Sequence, residues 1–308
     1  MRPIAEILSR PLASDFWKYR VLAPEIACSD DISRALRVIH GRWPETVRQD
    51  LPAAAPIFLF AAGWGSGSTL LQRLIMSDES ILLWGEPHDH AVPIARMAQM
   101  IAPISDRWPR SSYYQPLDNE QPLNEQWIAN LSPPIVALQD AHRRFFEAWL
   151  RDPAAAHGRL RWGLKDVRST ADHARYLRWL FPGAKFVFLV RDVLNSYRSC
   201  RHVDWFSVWP DFRVRRASSF AHHWTHLVSG FLDARRELGA YFLRYEDLID
   251  GQVSLDELAS HLEADSLDPA VLDLKLGSRA GGRKPLTVRE QTIVHAIADP
   301  MRQQLGYS

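Results

Sequence analysis

The sequence predicts an α/β protein in which helices flank a central parallel sheet in three layers, with an additional helical insertion. Two observations predict this fold. Short apolar runs recur along the chain, as expected for strands covered on both faces, and longer segments of helical period separate them. Polar or charged residues follow these runs, at the edge of the sheet where parallel-sheet proteins bind ligands. With 308 residues, the chain is long enough to form one large domain, residues 1–308.

The composition indicates an ordinary globular protein without a polyanionic partner. Lys and Arg total 37 against 36 Asp and Glu, a formal charge of +1, which argues against binding to nucleic acid. Cys28 and Cys200 lack metal-ligand spacing and favour a reducing compartment without disulfides. No run reaches about 18 apolar residues, and the N-terminus lacks a signal-peptide pattern. We therefore expect a cytoplasmic protein that does not span a membrane.

Residues 1–50 predict an N-terminal helical extension, and the first strand of the sheet follows it. Pro11, Pro24 and Pro44 break the extension into short helices. The continuous apolar run at residues 57–62 then predicts a strand that is buried on both faces.

A glycine-rich turn follows this strand and predicts a phosphate site. Gly63, Gly65 and Gly67 permit a tight turn that a ligand can approach closely, and they exceed what a plain strand-to-helix connection needs. Ser68 and Thr69 open an apolar helix, whose first N–H groups and dipole would face the turn. The fold is therefore P-loop-like, but Ser68 stands where a nucleoside-triphosphate P-loop has its lysine. Such a turn can bind a phosphate but is poorly equipped to transfer one.

The second predicted strand ends in a carboxylate, Glu86, and a long insertion follows it. Residues 87–160 are rich in proline and aromatic side chains and include a predicted helix at residues 135–150. We interpret this segment as a helical insertion on the substrate side, which shapes the acceptor site or a lid.

Three further strands complete the predicted sheet and bring the polar residues to one edge. The strands lie at residues 161–165, 185–190 and 241–248, and the helices lie at residues 170–181, from 193, at 216–238 and at 255–262. Strands that alternate with helices form parallel sheets through right-handed crossovers. The glycine turn, Glu86, Lys165 and Arg191 are therefore expected at the same edge.

Arg191 and Ser199 have a spacing that suits a second phosphate. Arg191 ends the fourth strand, and Ser199 lies eight residues later, about two turns into the next helix. An arginine fork and a hydroxyl can then bind one phosphate together. Alternatively, Arg191 pairs with Asp192 and holds the end of the strand. The residues alone do not choose between these interpretations.

Five segments of the chain resemble motifs of sulfotransferases that use 3′-phosphoadenosine 5′-phosphosulfate (PAPS), and they follow one another in the order of that family. The 5′-phosphosulfate loop of that family is similar to FAAGWGSGSTLLQRLI, and its 3′-phosphate motif is similar to KFVFLVRDVLNSYRSCR. Its late core strand resembles YFLRYEDL, and the short segments GEP and GLKD resemble bacterial and tyrosylprotein-type members. Together these segments extend over residues 56–262.

The resemblance implies a role for each matching residue. Arg191 and Ser199 would bind the 3′-phosphate, Glu86 would act as general base, and Lys165 would place a cation on the transferring sulfuryl group. The 5′-phosphosulfate would be held by the turn residues Gly65, Ser66, Gly67, Ser68, Thr69 and Leu70. A basic loop at residues 276–287, with Arg283, would close over the 3′-phosphate, although a solvated loop has the same composition.

Two features leave alternatives open. The family usually has Arg or Lys directly before the Ser-Gly pair, where this chain has Gly65, so either Lys165 replaces that cation or another basic residue does. The candidates are Arg73, Arg279, Arg283 and Lys284. His88 and His90 rival Glu86 as the base, because cytosolic members of the family use a histidine.

The resemblance therefore implies a PAPS-dependent sulfotransferase, and we expect it to act on a hydroxyl of a small or medium-sized acceptor. A sulfuryl group carries less charge than a terminal phosphoryl group, so no metal is expected. The aromatic residues of the insertion favour an apolar or aromatic acceptor, whereas a glycan or a protein tyrosine stays open. The alternatives are a P-loop-type small-molecule kinase with a relocated lysine and a non-catalytic adenine-nucleotide-binding protein.

Overall fold

The fold is built on a five-stranded parallel sheet. The computed structural model describes residues 29–47, 55–88, 91–114, 122–125, 128–201, 214, 216–274 and 285–307. The strands are β1 (Ile57–Ala61), β2 (Ile81–Trp84), β3 (Arg161–Asp166), β4 (Lys185–Val190) and β5 (Tyr241–Arg244). They lie in the order β2-β3-β1-β4-β5, and every neighbouring pair is parallel. The predicted parallel sheet is confirmed.

The central strand, β1, is apolar because both of its faces are covered. All five of its residues are buried. The ring of Phe58 lies 5.5 Å from that of Phe186 on β4 and 6.1 Å from that of Trp162 on β3. These cross-strand aromatic contacts stabilise the register that brings the carboxyl ends of the strands to a common edge.

Helices cover both faces of the sheet and complete the three predicted layers. They are α1 (Ser29–Arg42), α2 (Ser68–Ile75), α3 (Pro93–Gln99), α4 (Ile135–Phe146), α5 (Asp152–Ala156), α6 (Ala171–Leu180), α7 (Val193–Cys200), α8 (Ala217–Ala234), α9 (Tyr245–Ile249), α10 (Leu255–Leu262) and α11 (Val288–Gln304). The chain moves from β1 to β2 in one direction along the sheet, and from β3 through β4 to β5 in the other. Because parallel crossovers are right-handed, α2 covers one face while α6 and α8 cover the other.

The change of direction produces a switch point between β1 and β4. The connection from β1 enters α2 on one face, and the connection from β4 enters α7, which packs against α8 and α11 on the other. A crevice opens beyond the strand ends at such a point, and parallel-sheet proteins bind ligands there. The glycine turn and Arg191 both follow the strands that border it.

The insertion between β2 and β3 is helical, as predicted, with one local difference. The helix expected at residues 135–150 is α4, followed by a π-helical segment, Glu147–Arg151. Trp84 on β2 donates a hydrogen bond from Nε1 to the carbonyl oxygen of Leu150 at 2.9 Å. The π-helical segment is therefore anchored to the edge of the sheet.

Two elements correct the sequence prediction. The fifth strand ends at Arg244 instead of extending to residue 248, because α9 begins at Tyr245. The C-terminal helix α11 is absent from the prediction, although Thr287 and Glu290 form a capping box at its start. Of the predicted N-terminal extension, the described part contains α1 and a 3₁₀ turn at Pro44–Thr46. No helix within the described ranges is long and apolar enough to cross a membrane.

Candidate active site

The glycine turn after β1 presents a row of backbone N–H groups. Gly65 and Gly67 have φ angles of +78° and +86°, which residues with a side chain rarely adopt. Among the residues that the structure describes, none accepts a hydrogen bond from the backbone N–H groups of residues 65–69. The helix α2 begins at Ser68, so its dipole adds positive potential at the turn. The turn is therefore a cradle for an anion.

The turn is packed so tightly that a side chain does not fit at either glycine. A Cβ atom at Gly67 would lie 2.1 Å from Cδ2 of Tyr245. A Cβ atom at Gly65 would lie 2.8 Å from Cβ of Ser199 and 2.9 Å from the carbonyl oxygen of Ser196. The helix α7 thus presses against the turn through Ser199, one of the two residues that the sequence suggests for a second phosphate.

Arg191, the other of those two residues, reaches back from the end of β4 to the same turn. Its Nη1 donates a hydrogen bond to the carbonyl oxygen of Gly65 at 2.8 Å. Its Cζ lies 4.4 Å from the ring centroid of Tyr245, a cation–π contact. The buried Trp224 donates from Nε1 to the carbonyl oxygen of Arg191 at 2.9 Å. Arg191 and Ser199 therefore converge on Gly65.

Asp192 anchors two helices at this point. It accepts hydrogen bonds from Nε and Nη2 of Arg302 at 3.1 and 2.8 Å. It also caps α7 by accepting a bond from the backbone N–H of Leu194 at 2.7 Å. A pair between Arg191 and Asp192 was one of the two interpretations that the sequence left open, whereas the structure pairs Asp192 with the buried Arg302 of the C-terminal helix.

Glu86 and Lys165 form an ion pair beyond the ends of β2 and β3. The Nζ of Lys165 donates to Oε1 of Glu86, and Nη1 of Arg168 lies 3.5 Å from Oε2 of the same carboxylate. Lys165 and Arg168 are both buried. The Cζ of Arg168 also lies 4.6 Å from the ring centroid of Trp64 in the glycine turn. The carboxylate is thus connected to the turn through one arginine.

A second carboxylate, Asp166, lies beside this group. Burial raises the pKa of Asp166, and the charge of Glu86 raises it further. Hydrogen bonds from Arg168 and Ser169 lower this pKa and oppose part of the rise. These bonds come from the backbone N–H of Arg168 and from Oγ of Ser169, each at 2.8 Å. They shape the loop after β3, so Asp166 fixes the backbone that carries Arg168.

Of the remaining candidates, two lie within the described residues and four do not. His88 lies two residues beyond Glu86, has a φ of +52° and places its ring 5.6 Å from that of Trp149. Arg73 lies on α2, half-buried. The candidates His90, Arg279, Arg283 and Lys284 lie outside the described residues.

A family model matches the segment of the chain that carries these residues. The model, described as the sulfotransferase family, matches residues 56–265. This chain belongs to the sulfotransferase family. The match includes the glycine turn, Glu86, Lys165, Arg191 and Ser199, and it supports sulfuryl transfer as the reaction.

Solved structures of other sulfotransferases resemble this one at low sequence identity. The sulfotransferase domain of an olefin synthase from Synechococcus PCC 7002 is 18% identical, with 83% of this chain and 90% of that chain covered and a TM-score of 0.40. The sulfotransferase domain from the curacin biosynthetic pathway is 16% identical, with 84% and 99% covered and a TM-score of 0.40. Sulfotransferase STF9 from Mycobacterium avium is 14% identical, with 91% and 85% covered and a TM-score of 0.41. No curated protein matches the chain.

The sequence analysis did not predict three residues at the candidate site of this sulfotransferase: Arg168, Tyr245 and Arg302. Arg168 lies three residues after Lys165, just past a strand end. A basic residue at that position indicates a candidate ligand contact, because parallel-sheet proteins bind ligands there. Tyr245 was assigned to a strand. Arg302 lies 110 residues from Asp192, and no local pattern connects the two.

Proposed function

We propose that this sulfotransferase transfers the sulfuryl group of PAPS to a hydroxyl group of a small or medium-sized acceptor. The observation that carries the proposal is the convergence of Arg191 and Ser199 on Gly65 in the turn. A cradle of N–H groups and a separate Arg–Ser pair beside it suit a nucleotide with phosphates at both its 5′ and 3′ positions.

The turn residues Gly65, Ser66, Gly67, Ser68, Thr69 and Leu70 would hold the 5′-phosphosulfate. The hydroxyl of Ser66 supports this assignment, because it is buried and has no hydrogen-bond partner among the described residues. A buried hydroxyl without a partner is costly, and an anionic oxygen in the turn would satisfy it. Arg191 and Ser199 would bind the 3′-phosphate, and Arg283, which lies outside the described residues, would join them.

Glu86 would act as the general base and Lys165 as the cation on the transferring group. The acceptor oxygen forms a bond to sulfur while the bond from sulfur to the 5′-phosphate oxygen breaks, and adenosine 3′,5′-bisphosphate leaves. The acceptor proton passes to Glu86, a step worth about 10²–10⁴ in rate. The ammonium of Lys165 has three donors, so it can bind Glu86 and a sulfuryl oxygen together.

The insertion at residues 87–160 would supply the acceptor site. His88, two residues from Glu86, packs against Trp149, whose ring centroid lies 5.4 Å from that of Phe145. Phe145 is 41% exposed and His88 is exposed as well, so this row of rings forms a surface that begins two residues after the proposed base. An apolar or aromatic acceptor would pack on it.

Calorimetry with nucleotides tests the proposal without knowledge of the acceptor. Adenosine 3′,5′-bisphosphate should bind in the absence of Mg²⁺, and Arg191→Gln should weaken that binding. Tight binding of Mg·ATP with no binding of the bisphosphate would favour the kinase alternative instead. Bisphosphate binding without transfer to any acceptor in a screen with labelled PAPS would favour a non-catalytic nucleotide-binding protein.

A further inference from the structure

Arg168 is a buried cation that lies between the glycine turn and the proposed base. Only 3% of Arg168 is exposed. Its guanidinium lies 3.5 Å from Oε2 of Glu86 on one side and 4.6 Å from the ring centroid of Trp64 on the other. Trp64 is itself buried and adjoins Gly65. The guanidinium is thus fixed at the junction between the two halves of the candidate site.

The turn contains no basic side chain of its own, and its geometry explains why. Residues 62–70 include neither Lys nor Arg. At Gly65, a φ of +78° disfavours any side chain, and a Cβ would lie 2.9 Å from the carbonyl oxygen of Ser196. A cation that serves the group bound at the turn must therefore come from another segment.

Arg168 shares its carboxylate partner with a second buried cation. Lys165 and Arg168 both face the single carboxylate of Glu86. The neighbouring Asp166 accepts hydrogen bonds from the backbone N–H of Arg168 and from Oγ of Ser169, each at 2.8 Å. Since burying a guanidinium is costly, an anionic ligand at this junction would gain from a charge that the fold already holds in place.

We infer that Arg168 binds the transferred group of the donor, in the place that a basic side chain within the turn would otherwise take. This inference rests on the proposed function. The planar guanidinium can bind two oxygens at once, so it would neutralise charge on the sulfuryl group while Lys165 remains with Glu86. Arg168 is then the second cation of the transfer step.

The test compares PAPS with adenosine 3′,5′-bisphosphate, which lacks the transferred group. Their dissociation constants are measured by calorimetry for the wild type, Arg168→Gln and Arg168→Lys. We expect Arg168→Gln to weaken PAPS binding by at least about tenfold, as loss of a charged hydrogen bond does, and to change bisphosphate binding less than about threefold. Arg168→Lys keeps the positive charge but loses the planar guanidinium that can bind two oxygens. It should weaken PAPS binding less than Arg168→Gln does, and it provides the test if the Gln variant does not fold.

A matched control removes a buried guanidinium at the other end of β3. Arg161, at the opposite end of β3, donates to backbone carbonyl oxygens of Leu262 and Ala55. Arg161→Gln should lower stability while the ratio of the two dissociation constants stays at its wild-type value. If both Arg168 variants keep that ratio, or weaken both ligands equally, Arg168 does not contact the transferred group and the inference is overturned. If the wild type binds neither nucleotide, the proposed function itself is wrong.

Discussion

Arg302 and Asp192 join the C-terminal helix to the strand end that carries Arg191. Arg302 donates from Nε and Nη2 to one carboxylate oxygen, at 3.1 and 2.8 Å, and both side chains are buried. The backbone N–H of Asp192 also donates to Glu246 at 3.1 Å, and Glu246 accepts a bond from the hydroxyl of Tyr307 at 2.8 Å. The C-terminus therefore holds the loop between β4 and α7 at two points.

Removal of the Arg302 side chain should destabilise the fold strongly. Arg302→Met leaves the buried carboxylate of Asp192 without its charged partner, which we expect to cost about 3–5 kcal/mol in the free energy of unfolding. Urea denaturation at pH 7 measures this loss. The double variant Arg302→Met with Asp192→Asn is the control, and it should recover part of the loss because no unpaired charge stays buried. A loss below about 1 kcal/mol in the single variant would show that the pair is not important for stability.

Replacement of the proposed base should separate catalysis from nucleotide binding. Glu86→Gln keeps the size of the side chain and removes its ability to accept a proton. We expect transfer to fall by about 10²–10⁴-fold, while the affinity for adenosine 3′,5′-bisphosphate changes little. Transfer of labelled sulfate from PAPS to an acceptor found by screening measures the first quantity, and calorimetry measures the second. Turnover at the wild-type rate would assign the base to another residue, and His88→Gln is then the next variant.

Two buried histidines should make the protein sensitive to acid. Burial lowers the pKa of His142 to about 4 and that of His223 to about 3. In the unfolded chain the pKa of each histidine would be about 6.5. Below that pH the unfolded state binds more protons than the native state, so stability should fall as the pH decreases from about 6.5 towards 4, by up to about 1.4 kcal/mol per pH unit for each histidine.

Denaturation at a series of pH values, with a His142→Gln variant, checks this expectation. His142 bonds through Nδ1 to the hydroxyl of Tyr176 at 2.8 Å, and glutamine retains a polar partner for that hydroxyl. The variant should show a shallower decrease in stability between pH 6.5 and 4. Replacement of the exposed His157 by Gln should leave the slope as it is in the wild type. Equal slopes in wild type and His142→Gln would contradict the assigned pKa.

The buried strands and the glycine turn were predictable because their signals are local. A run such as residues 57–61 must be covered on both faces, since no other environment suits five consecutive apolar residues in a strand. The order of the strands and the helix α11 were not read from the sequence. The order depends on which edges pair, and α11 has a weaker apolar pattern and an internal proline, Pro300.

Residue type and position relative to the strand ends were enough to predict that Glu86, Lys165, Arg191 and the turn lie at one edge of the sheet, because parallel strands bring their carboxyl ends together. The three-dimensional packing assigned the partners: Arg302 to Asp192, Tyr245 to Gly67, and Arg168 to both Trp64 and Glu86. Such pairs join segments that are distant in the chain. Contacts of this kind depend on how whole helices and loops pack against each other, and short-range sequence patterns do not specify that packing.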